Sequence, residues 1–364
     1  MKVQTSHRLS EGTILDGRYE IGSVLGEGGF GITYNGRNRN TGIRVAIKEF
    51  FCREYMGRDT SGTGRTFLIE ETADRRFASE KRRFMREARI IRDYGHEPGI
   101  VTVLDYFEEN DTAYIVMEKI EGEDLRSYVR SKGKIDSKTL FTELHPLMQS
   151  LQILHRAGVI HRDISPDNII RTTEGRMVLI DFGSAKDLSS ETRSATMTVK
   201  DGYTPPEQYM KGAEPSVALD IYALSATIYY CLTGFVPQAS IQRVLLDELE
   251  PVSSMVMLPK EISSMITAGM SLKAEERPKD IGEMLEVIDS VYTILSPEEK
   301  ARRKKRKKMI AAAVIALVVL GAGFGASHII KNIAQYRMMM QSTIVTHYRW
   351  DNDEDMKQTK KLLG

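Results

Sequence analysis

Apolar and polar positions near the amino terminus alternate in short runs that predict β-strands joined by turns. The stretch YEIGSVLGEGGFGITYNGR predicts a strand, a tight glycine turn and a second strand, and the β-branched stretch IRVAIKEF predicts a third. IVTVLDYFEENDTAYIVMEKIEGEDL predicts two more strands around a polar turn at residues 109–112, and then a linker. After a polar lead-in over residues 1–18, the chain should therefore begin with a small β-rich lobe.

Helical periodicity follows the first strands. Between residues 79 and 94, Glu80 and Glu87 share the apolar face of one predicted helix. DIYALSATIYYCLTG is apolar nearly all round but too short to cross a membrane, which predicts a buried helix. Further helical pattern continues to about Leu295. Strands followed by helices indicate the α+β class.

A long connection, FFCREYMGRDTSGTGRTFLIEE, separates the third strand from the first helix. Its content of Gly, Ser, Thr and Arg predicts a flexible surface insertion.

An apolar run near the carboxyl end changes this picture. Residues 309–330 contain no Asp, Glu, Lys or Arg and would form roughly 33 Å of helix, which matches the hydrocarbon core of a bilayer. A buried core helix is the alternative, but only a short polar tail, 331–364, follows. Within the run, Gly321 and Gly325 form one GxxxG, which permits close helix pairing and leaves a homodimer open.

Charge supports the membrane interpretation. Eight Lys and Arg lie between Lys300 and Lys308 with no acid among them; subtracting them from the net charge of +1 leaves −7 for the rest. A mildly acidic body argues against nucleic-acid binding. By the positive-inside rule, the basic segment 296–308 predicts a single-pass protein of the cell membrane, with residues 1–308 cytoplasmic and the tail extracytoplasmic. Cys52 and Cys231 fit a reducing compartment and lack metal-site spacing.

The most informative chemistry lies between His161 and Gly183, where HRDISPDN is followed by the strand-like MVLID and by DFG. Asp163 is a candidate base for a hydroxyl proton. Asn168 and Asp181 supply oxygen ligands of the kind that Mg²⁺ prefers, and this set indicates phosphoryl transfer.

In this order and spacing, these motifs resemble the catalytic and metal-binding loops of the protein kinase family. Gly26, Gly28 and Gly31 form GxGxxG, a weak signal alone, but the strands that follow favour the kinase arrangement over a dinucleotide-binding fold. VAIK ends in Lys48, which bridges the α- and β-phosphates in that family. The resemblance implies a carboxylate partner for this lysine, and Glu87 occupies the family's position, with Glu80 as a weaker second candidate.

The resemblance, over about residues 12–290, implies a bilobal kinase domain at 19–295, with an N-lobe at 19–120 and a C-lobe at 121–295. It implies ATP and Mg²⁺ as cofactors. It also implies that Met117 borders the adenine pocket, that the backbones of Glu118 and Ile120 hydrogen-bond adenine, and that Asp124 reaches the ribose. The nucleotide-binding residues implied are Gly26, Gly28, Gly31, Ala46, Lys48, Met117, Glu118, Ile120 and Asp124.

The Ser- and Thr-rich stretch after DFG predicts a mobile activation segment. By family logic a phosphate on it would pair with Arg162, and Thr196 and Thr198 are the best candidate acceptors. The resemblance further implies a structural ion pair between Glu207 and Arg277. It also implies that Asp220 anchors the backbone of the catalytic loop.

Two departures from the family matter. Thr33 stands where Val usually covers the adenine. Ser165 stands where Ser/Thr kinases carry a lysine that steadies the transferring phosphate, while Lys200 stands, counting back from Glu207, where they carry a threonine. We hypothesise that Lys200 reaches into the site and supplies the missing charge; the alternative is a solvated Lys200 and a weakened enzyme.

The sequence thus predicts a membrane-anchored kinase of the bacterial eukaryotic-like type that phosphorylates Ser or Thr of proteins, itself included. A nucleotide-binding pseudokinase scaffold is the first alternative because of Ser165. A small-molecule phosphotransferase is the second, and the PPEQ segment with Arg277 argues against it.

Overall fold

The computed structural model describes residues 7–29, 31–59, 63–182, 186–187, 199–210 and 214–292, together with Lys357 and Lys361. The chain divides into two compact units, residues 1–294 and 295–364. The predicted basic segment, membrane span and most of the tail lie outside the described residues. Within the described ranges, no helix is long and apolar enough to cross a membrane.

The amino-terminal part of the first unit is built on β-strands, which are β1 Ile14–Leu15, β2 Tyr19–Gly28, β3 Gly31–Asn38, β4 Arg44–Phe50, β5 Met56–Arg58, β6 Thr66–Leu68, β7 Val103–Glu109 and β8 Thr112–Glu118. Six of them form an antiparallel sheet in the order β1-β2-β3-β4-β8-β7. Thr33 of β3 pairs with Lys48 of β4, and Lys48 also pairs with Ile115 of β8.

Helix α1, Asp74–Tyr94, packs against β7 and β8. It begins five residues before the stretch that the sequence predicted. Its buried face carries Phe84, Glu87, Ala88 and Ile91, so a carboxylate lies among apolar side chains on the core side.

The second lobe is mainly helical, and its core surrounds one helix, Val217–Thr233, in which all residues from Leu219 onward are buried. This confirms the predicted buried helix and the bilobal α+β fold. The helices are α2 Leu125–Lys132, α3 Ser137–Arg156, α4 Val217–Thr233, α5 Ser240–Leu245, α6 Val252–Met255, α7 Lys260–Gly269 and α8 Ile281–Tyr292. The short strands are β9 Gly122–Asp124, β10 Val159–Ile160, β11 Ile169–Thr172, β12 Met177–Leu179 and β13 Lys186–Asp187.

The prediction of a flexible surface insertion between β4 and α1 was wrong for its first half. Phe51, Cys52, Tyr55, Met56 and Arg58 are buried, and β5 pairs with β6 as a hairpin. The apolar residues of CREYM are interrupted by charges, so neither strand nor helix periodicity reveals that they pack onto the sheet.

Candidate active site

A cavity of about 570 Å³ lies between the β2–β3 turn and the loop that follows β10. It collects most of the residues that the sequence singled out for chemistry. Its lining consists of Gly26, Glu27, Gly28, Gly29, Gly31, Thr33, Lys48, Phe50, Glu80, Arg83, Phe84, Glu87, Asp163, Asp167, Asn168, Asp181 and Lys200.

The three glycines of the turn differ in what surrounds them. A Cβ at Gly31 would lie 2.7 Å from the carbonyl oxygen of Glu49, so the packing of β3 on β4 requires glycine there. A Cβ at Gly26 or Gly28 would meet nothing within 4 Å. Bare backbone at these two positions leaves room for an anionic group to approach the N–H groups closely.

Lys48 lies between two carboxylates. Its Nζ is 2.6 Å from Oδ1 of Asp181 and 3.5 Å from Oε1 of Glu87. Glu80, the second candidate partner, instead accepts hydrogen bonds from Tyr55 and Arg76. The structure therefore brings Glu87 rather than Glu80 to the lysine.

The electrostatics of this group follow from its burial. Burial alone would lower the pKa of Lys48, but the carboxylates of Asp181 and Glu87 outweigh it and raise that pKa above its ordinary value. Burial raises the pKa of Glu87 to about 7, against the opposing charge of Lys48 and with the help of Asp181. The lysine is thus held charged, and burial makes the Glu87 carboxyl harder to ionise than an exposed one.

The loop after β10 is held by one buried carboxylate, as predicted. Asp220 of α4 accepts hydrogen bonds from the backbone N–H of His161 (2.8 Å) and of Arg162 (2.7 Å), and its Oδ2 lies 2.8 Å from Nε2 of His155. Burial would raise the pKa of Asp220, but these partners hold it below its ordinary value. Arg162 has φ of 68°, a strained left-handed conformation that Asp220 stabilises immediately before Asp163.

Lys200 reaches the candidate base. Its Nζ lies 3.1 Å from Oδ1 of Asp163 and donates to Oγ of Ser165 at 3.0 Å. Its main chain is held by Thr204, whose Oγ1 accepts from the N–H of Lys200 and whose N–H donates to its carbonyl. Burial raises the pKa of Asp163, and Lys200 opposes that rise only in part.

Two residues of the cavity could hold a metal ion. The amide nitrogen of Asn168 donates to the carbonyl oxygen of Asp163 at 2.8 Å, which orients its side-chain oxygen away from that bond. Asp181 is partly exposed to the same cavity. Two oxygen donors and room for phosphates and water suit Mg²⁺, which is rarely enclosed by protein ligands alone. No cluster of three or more His, Cys, Asp or Glu that could hold a metal occurs among the described residues.

The residues predicted to contact adenine and ribose lie outside this cavity, unlike the residues predicted to bind phosphate and metal. Although Ala46, Met117, Glu118, Ile120 and Asp124 are all described, none of them lines this cavity. Two are occupied by intramolecular hydrogen bonds, because the Asp124 carboxylate caps α2 and the Glu118 N–H donates to Thr102. Met117 is buried opposite Ala46 in the sheet. Of the backbone groups of Glu118, only the carbonyl is therefore left for adenine.

The segment 199–210 is joined to the catalytic loop and to the second lobe. Arg277, whose side chain is fully buried, donates to both carboxylate oxygens of Glu207, at 2.5 and 3.0 Å, which confirms the predicted pair. Gln208 donates to the carbonyl of Arg162 at 3.0 Å. Thr196 and Thr198, the predicted phosphate acceptors, lie outside the described residues.

Sequence reasoning missed three charged residues of the cavity, Glu27, Arg83 and Asp167. Asp167 accepts a bidentate pair from Arg126 of α2, at 2.6 and 2.9 Å. Glu27, at the tip of the glycine turn, forms ion pairs with Arg8 and Arg53. The partners are far apart in sequence, so only the DN of HRDISPDN gave any signal for the first pair, and none was available for the second.

Comparison with known proteins agrees with this geometry. The family described as protein kinase domain matches residues 19–302. A probable serine/threonine-protein kinase of Clostridium perfringens is 29% identical over 289 residues, which cover 77% of this chain and 39% of that protein. Serine/threonine-protein kinase B of Synechocystis is 30% identical, with 79% and 49% covered. PknA of Mycobacterium tuberculosis is 33% identical, with 63% and 49% covered.

A solved structure, the apo form of PpkA-294, is similar to 78% of this chain and is itself covered completely, with a TM-score of 0.68 and 32% identity. The chain spans less than half the length of each of the three curated relatives.

Proposed function

Because this chain belongs to the protein kinase family, we propose that it transfers the γ-phosphoryl group of ATP to serine or threonine hydroxyls of proteins. One observation carries the proposal: Lys48, Asp163, Asn168 and Asp181, which come from three separate sequence motifs, line one cavity with the glycine turn. The names of the relatives, all serine/threonine-protein kinases, support the choice of hydroxyl.

In the proposed reaction the substrate hydroxyl oxygen attacks the γ-phosphorus, and the bond from that phosphorus to the ADP oxygen breaks. Asp163 accepts the proton of the hydroxyl as the new phosphorus–oxygen bond forms. Its raised pKa suits this role, because a carboxylate that is costly to keep ionised takes up a proton more readily. Glu87 orients Lys48, whose ammonium binds the α- and β-phosphates.

Asn168 and Asp181 would hold Mg²⁺. When bound, the metal neutralises phosphate charge. Asp181 now contacts Lys48 at 2.6 Å, so this carboxylate would have to exchange a lysine contact for a metal contact when the nucleotide arrives. Glu87, at 3.5 Å, is the carboxylate left to keep Lys48 in place.

Lys200 supplies the charge that Ser165 cannot. An ammonium 3.1 Å from the base and bordering the same cavity can reach both the hydroxyl that approaches Asp163 and an oxygen of the transferring phosphate. The neutral Ser165 Oγ accepts from this ammonium, which fixes its direction. The exchange of lysine and hydroxyl between two loops argues against the scaffold alternative, because the charge is retained.

The surroundings of Arg162 support regulation by a phosphate on the activation segment. Burial and the neighbouring charge of Arg83 lower the pKa of Arg162, and its buried Nε has no hydrogen-bond partner among the described residues. A phosphorylated Thr196 or Thr198 would bring the negative charge that this cationic pocket favours.

Membrane attachment is a separate part of the proposal. It rests on the apolar run 309–330 and the basic segment before it, and it would make the kinase domain a cytoplasmic neighbour of the bilayer. A membrane-bound kinase meets membrane-associated substrates and other copies of itself at raised local concentration.

The decisive experiment incubates the full chain with γ-labelled ATP, Mg²⁺ and peptides that differ only in offering Ser, Thr or Tyr. Label should appear on the Ser and Thr peptides and on the chain itself, and should be lost with Asp163→Asn. Nucleotide binding is measured in parallel. Binding without transfer by the unaltered chain would leave the pseudokinase scaffold as its function.

A further inference from the structure

The segment 51–58, which follows β4 directly, is the buried half of the predicted insertion. It starts three residues after Lys48 and joins the strand that carries this lysine to the helix that carries Glu87. Phe51 and Met56 are completely buried. A segment this firmly packed between the two elements can transmit position from one to the other.

One end of the segment is fixed to the sheet. Arg58 donates to Oε2 of the fully buried Glu49 at 2.6 Å, and Glu49 also accepts from the hydroxyls of Tyr34 and Tyr114, at 3.0 and 2.7 Å. Since Glu49 is adjacent to Lys48 in β4, this cluster ties the segment to the strand that presents the lysine. Every oxygen of the buried carboxylate is satisfied, so the cluster is a stable anchor.

The other contact is made to α1. The hydroxyl of Tyr55, a residue only 4% exposed, donates to Oε2 of Glu80 at 2.6 Å. Arg76 donates to the second oxygen of Glu80 at 3.0 Å and lies over the Tyr55 ring at 5.0 Å. Glu80 lies two helical turns before Glu87 on the same side of α1, so holding Glu80 fixes the rotation and axial position of the helix at Glu87.

We propose that Tyr55 is a positioning residue for phosphoryl transfer: through Glu80 it holds α1 at the register in which Glu87 faces Lys48. The inference rests on the proposed function for its kinetic consequence, but the contact itself does not. We call segment 51–58 the brace, because it holds α1 in a fixed position relative to β4.

The Lys48–Glu87 contact is the feature that such a brace would act on. At 3.5 Å it is the longer of the two contacts that Lys48 makes with carboxylates. A small rotation of α1 would therefore break it and leave Lys48 paired with Asp181 alone. Phe84, between Glu80 and Glu87 on α1, packs on Phe50 at a ring distance of 5.7 Å. That apolar contact restrains the distance of the helix from β4 but has no directional bond, whereas the Tyr55 hydroxyl has one.

The test is a double-mutant cycle in the full chain. Tyr55→Phe keeps the buried ring and removes only the hydroxyl, and it should lower kcat/KM for ATP about tenfold, the scale of one hydrogen bond to a charged group. In a Glu87→Gln background the same change should lower it less than twofold, because the group on which Tyr55 acts is gone. Glu54→Gln, which removes an exposed partner of the same Arg76, is the matched control and should change kcat/KM less than twofold.

An equal loss in both backgrounds would mean general destabilisation, and no loss in the parent would mean no positioning role; either result overturns the proposal. If the unaltered chain binds nucleotide but transfers no phosphate, the proposed function fails while the brace is still tested. Amide exchange along residues 74–94 should then rise at least tenfold in Tyr55→Phe relative to exchange in α4. Unchanged exchange there would overturn the brace independently.

Discussion

The ammonium of Lys200 lies 3.1 Å from the carboxylate of Asp163 and 3.0 Å from the hydroxyl of Ser165, although the lysine belongs to a different loop from the other two. Segment 199–210 thus supplies a positive charge beside the candidate base. The contact between Asp163 and Lys200 therefore depends on how this segment packs against the loop that carries Asp163.

Exchanging the two residues tests this arrangement. Lys200→Thr should lower kcat by about 10²–10³-fold, because a charge directed at the reacting phosphate is lost, while nucleotide affinity changes little. Adding Ser165→Lys to that variant returns an ammonium to the same place and should restore at least part of the rate. Single-turnover phosphoryl transfer measures both. Unchanged transfer in Lys200→Thr would refute a role for Lys200, and a loss that Ser165→Lys does not restore would refute the exchange of the two residues.

The buried carboxyl of Glu87 should make stability depend on pH. Its pKa is about 7 in the folded chain against an ordinary 4.5, so the folded state binds this proton more tightly than the unfolded state. The resulting stabilisation is complete below about pH 4.5 and is lost as pH rises to about 7, by on the order of 3 kcal/mol. Urea unfolding of the parent and of Glu87→Gln across this range should give free energies that diverge, with the parent losing more. Parallel curves would contradict the shift.

Removing the Asp220 carboxylate should loosen the catalytic loop. In Asp220→Asn one of the N–H groups of His161 and Arg162 faces an amide N–H, and an orphaned buried donor costs about 1–3 kcal/mol. We expect that loss in unfolding free energy together with a fall in kcat. Asp289→Asn is a suitable control, because Asp289 also pairs with a buried histidine, His145, but not with this loop. A similar fall in kcat for both variants would argue against the anchoring role.

Breaking the ion pair between Arg277 and Glu207 in the second lobe should lower the free energy of unfolding strongly. Arg277→Met leaves Glu207 partly buried without its cation and should lower the free energy of unfolding by about 3–5 kcal/mol. Arg171→Met removes an equally bidentate partner, that of Glu143, but the Arg171 side chain is 20% exposed, whereas that of Arg277 is fully buried and also donates to the carbonyls of Ser271 and Ala218. Arg171→Met should therefore cost less. Denaturant unfolding compares the two. Equal costs would mean that burial of Arg277 contributes nothing.

Membrane attachment can be tested by fractionation. Deleting residues 309–330 should move the chain from the membrane fraction to the soluble fraction, while transfer activity per molecule is retained. A variant with the basic residues of 300–308 changed to Ser keeps the apolar run and should still fractionate with membranes. A parent chain found in the soluble fraction would contradict the predicted span.

Local patterns predicted much of the fold. Alternation before Glu118 and helical spacing from Glu80 onward were enough for the sheet, for α1 and for the buried α4, because each element must bury one apolar face or stripe. The same logic failed for residues 51–58. Their burial depends on residues of the sheet, such as Glu49, which pairs with Arg58, and Tyr34, which donates to Glu49. A short stretch of sequence does not reveal these contacts.

Motifs likewise indicated the candidate chemistry, because Lys48, Asp163, Asn168 and Asp181 each hold a fixed position within a short stretch of neighbouring residues. Helical periodicity alone did not separate Glu80 from Glu87, which share one helical face, and only the family resemblance favoured Glu87. In the structure Tyr55 donates to Glu80, and Glu87 is the glutamate that lies 3.5 Å from Lys48.

The sequence by itself therefore determined the order of elements and the types of reacting groups, since both are encoded in neighbours along the chain. The family resemblance suggested single pairs, such as Glu207 with Arg277, but the tertiary structure decided which charges meet. Lys200 and Asp163, or Arg126 and Asp167, become partners because packing of separate elements brings them within 4 Å. Coulombic and hydrogen-bond energies depend on that distance and not on separation in sequence.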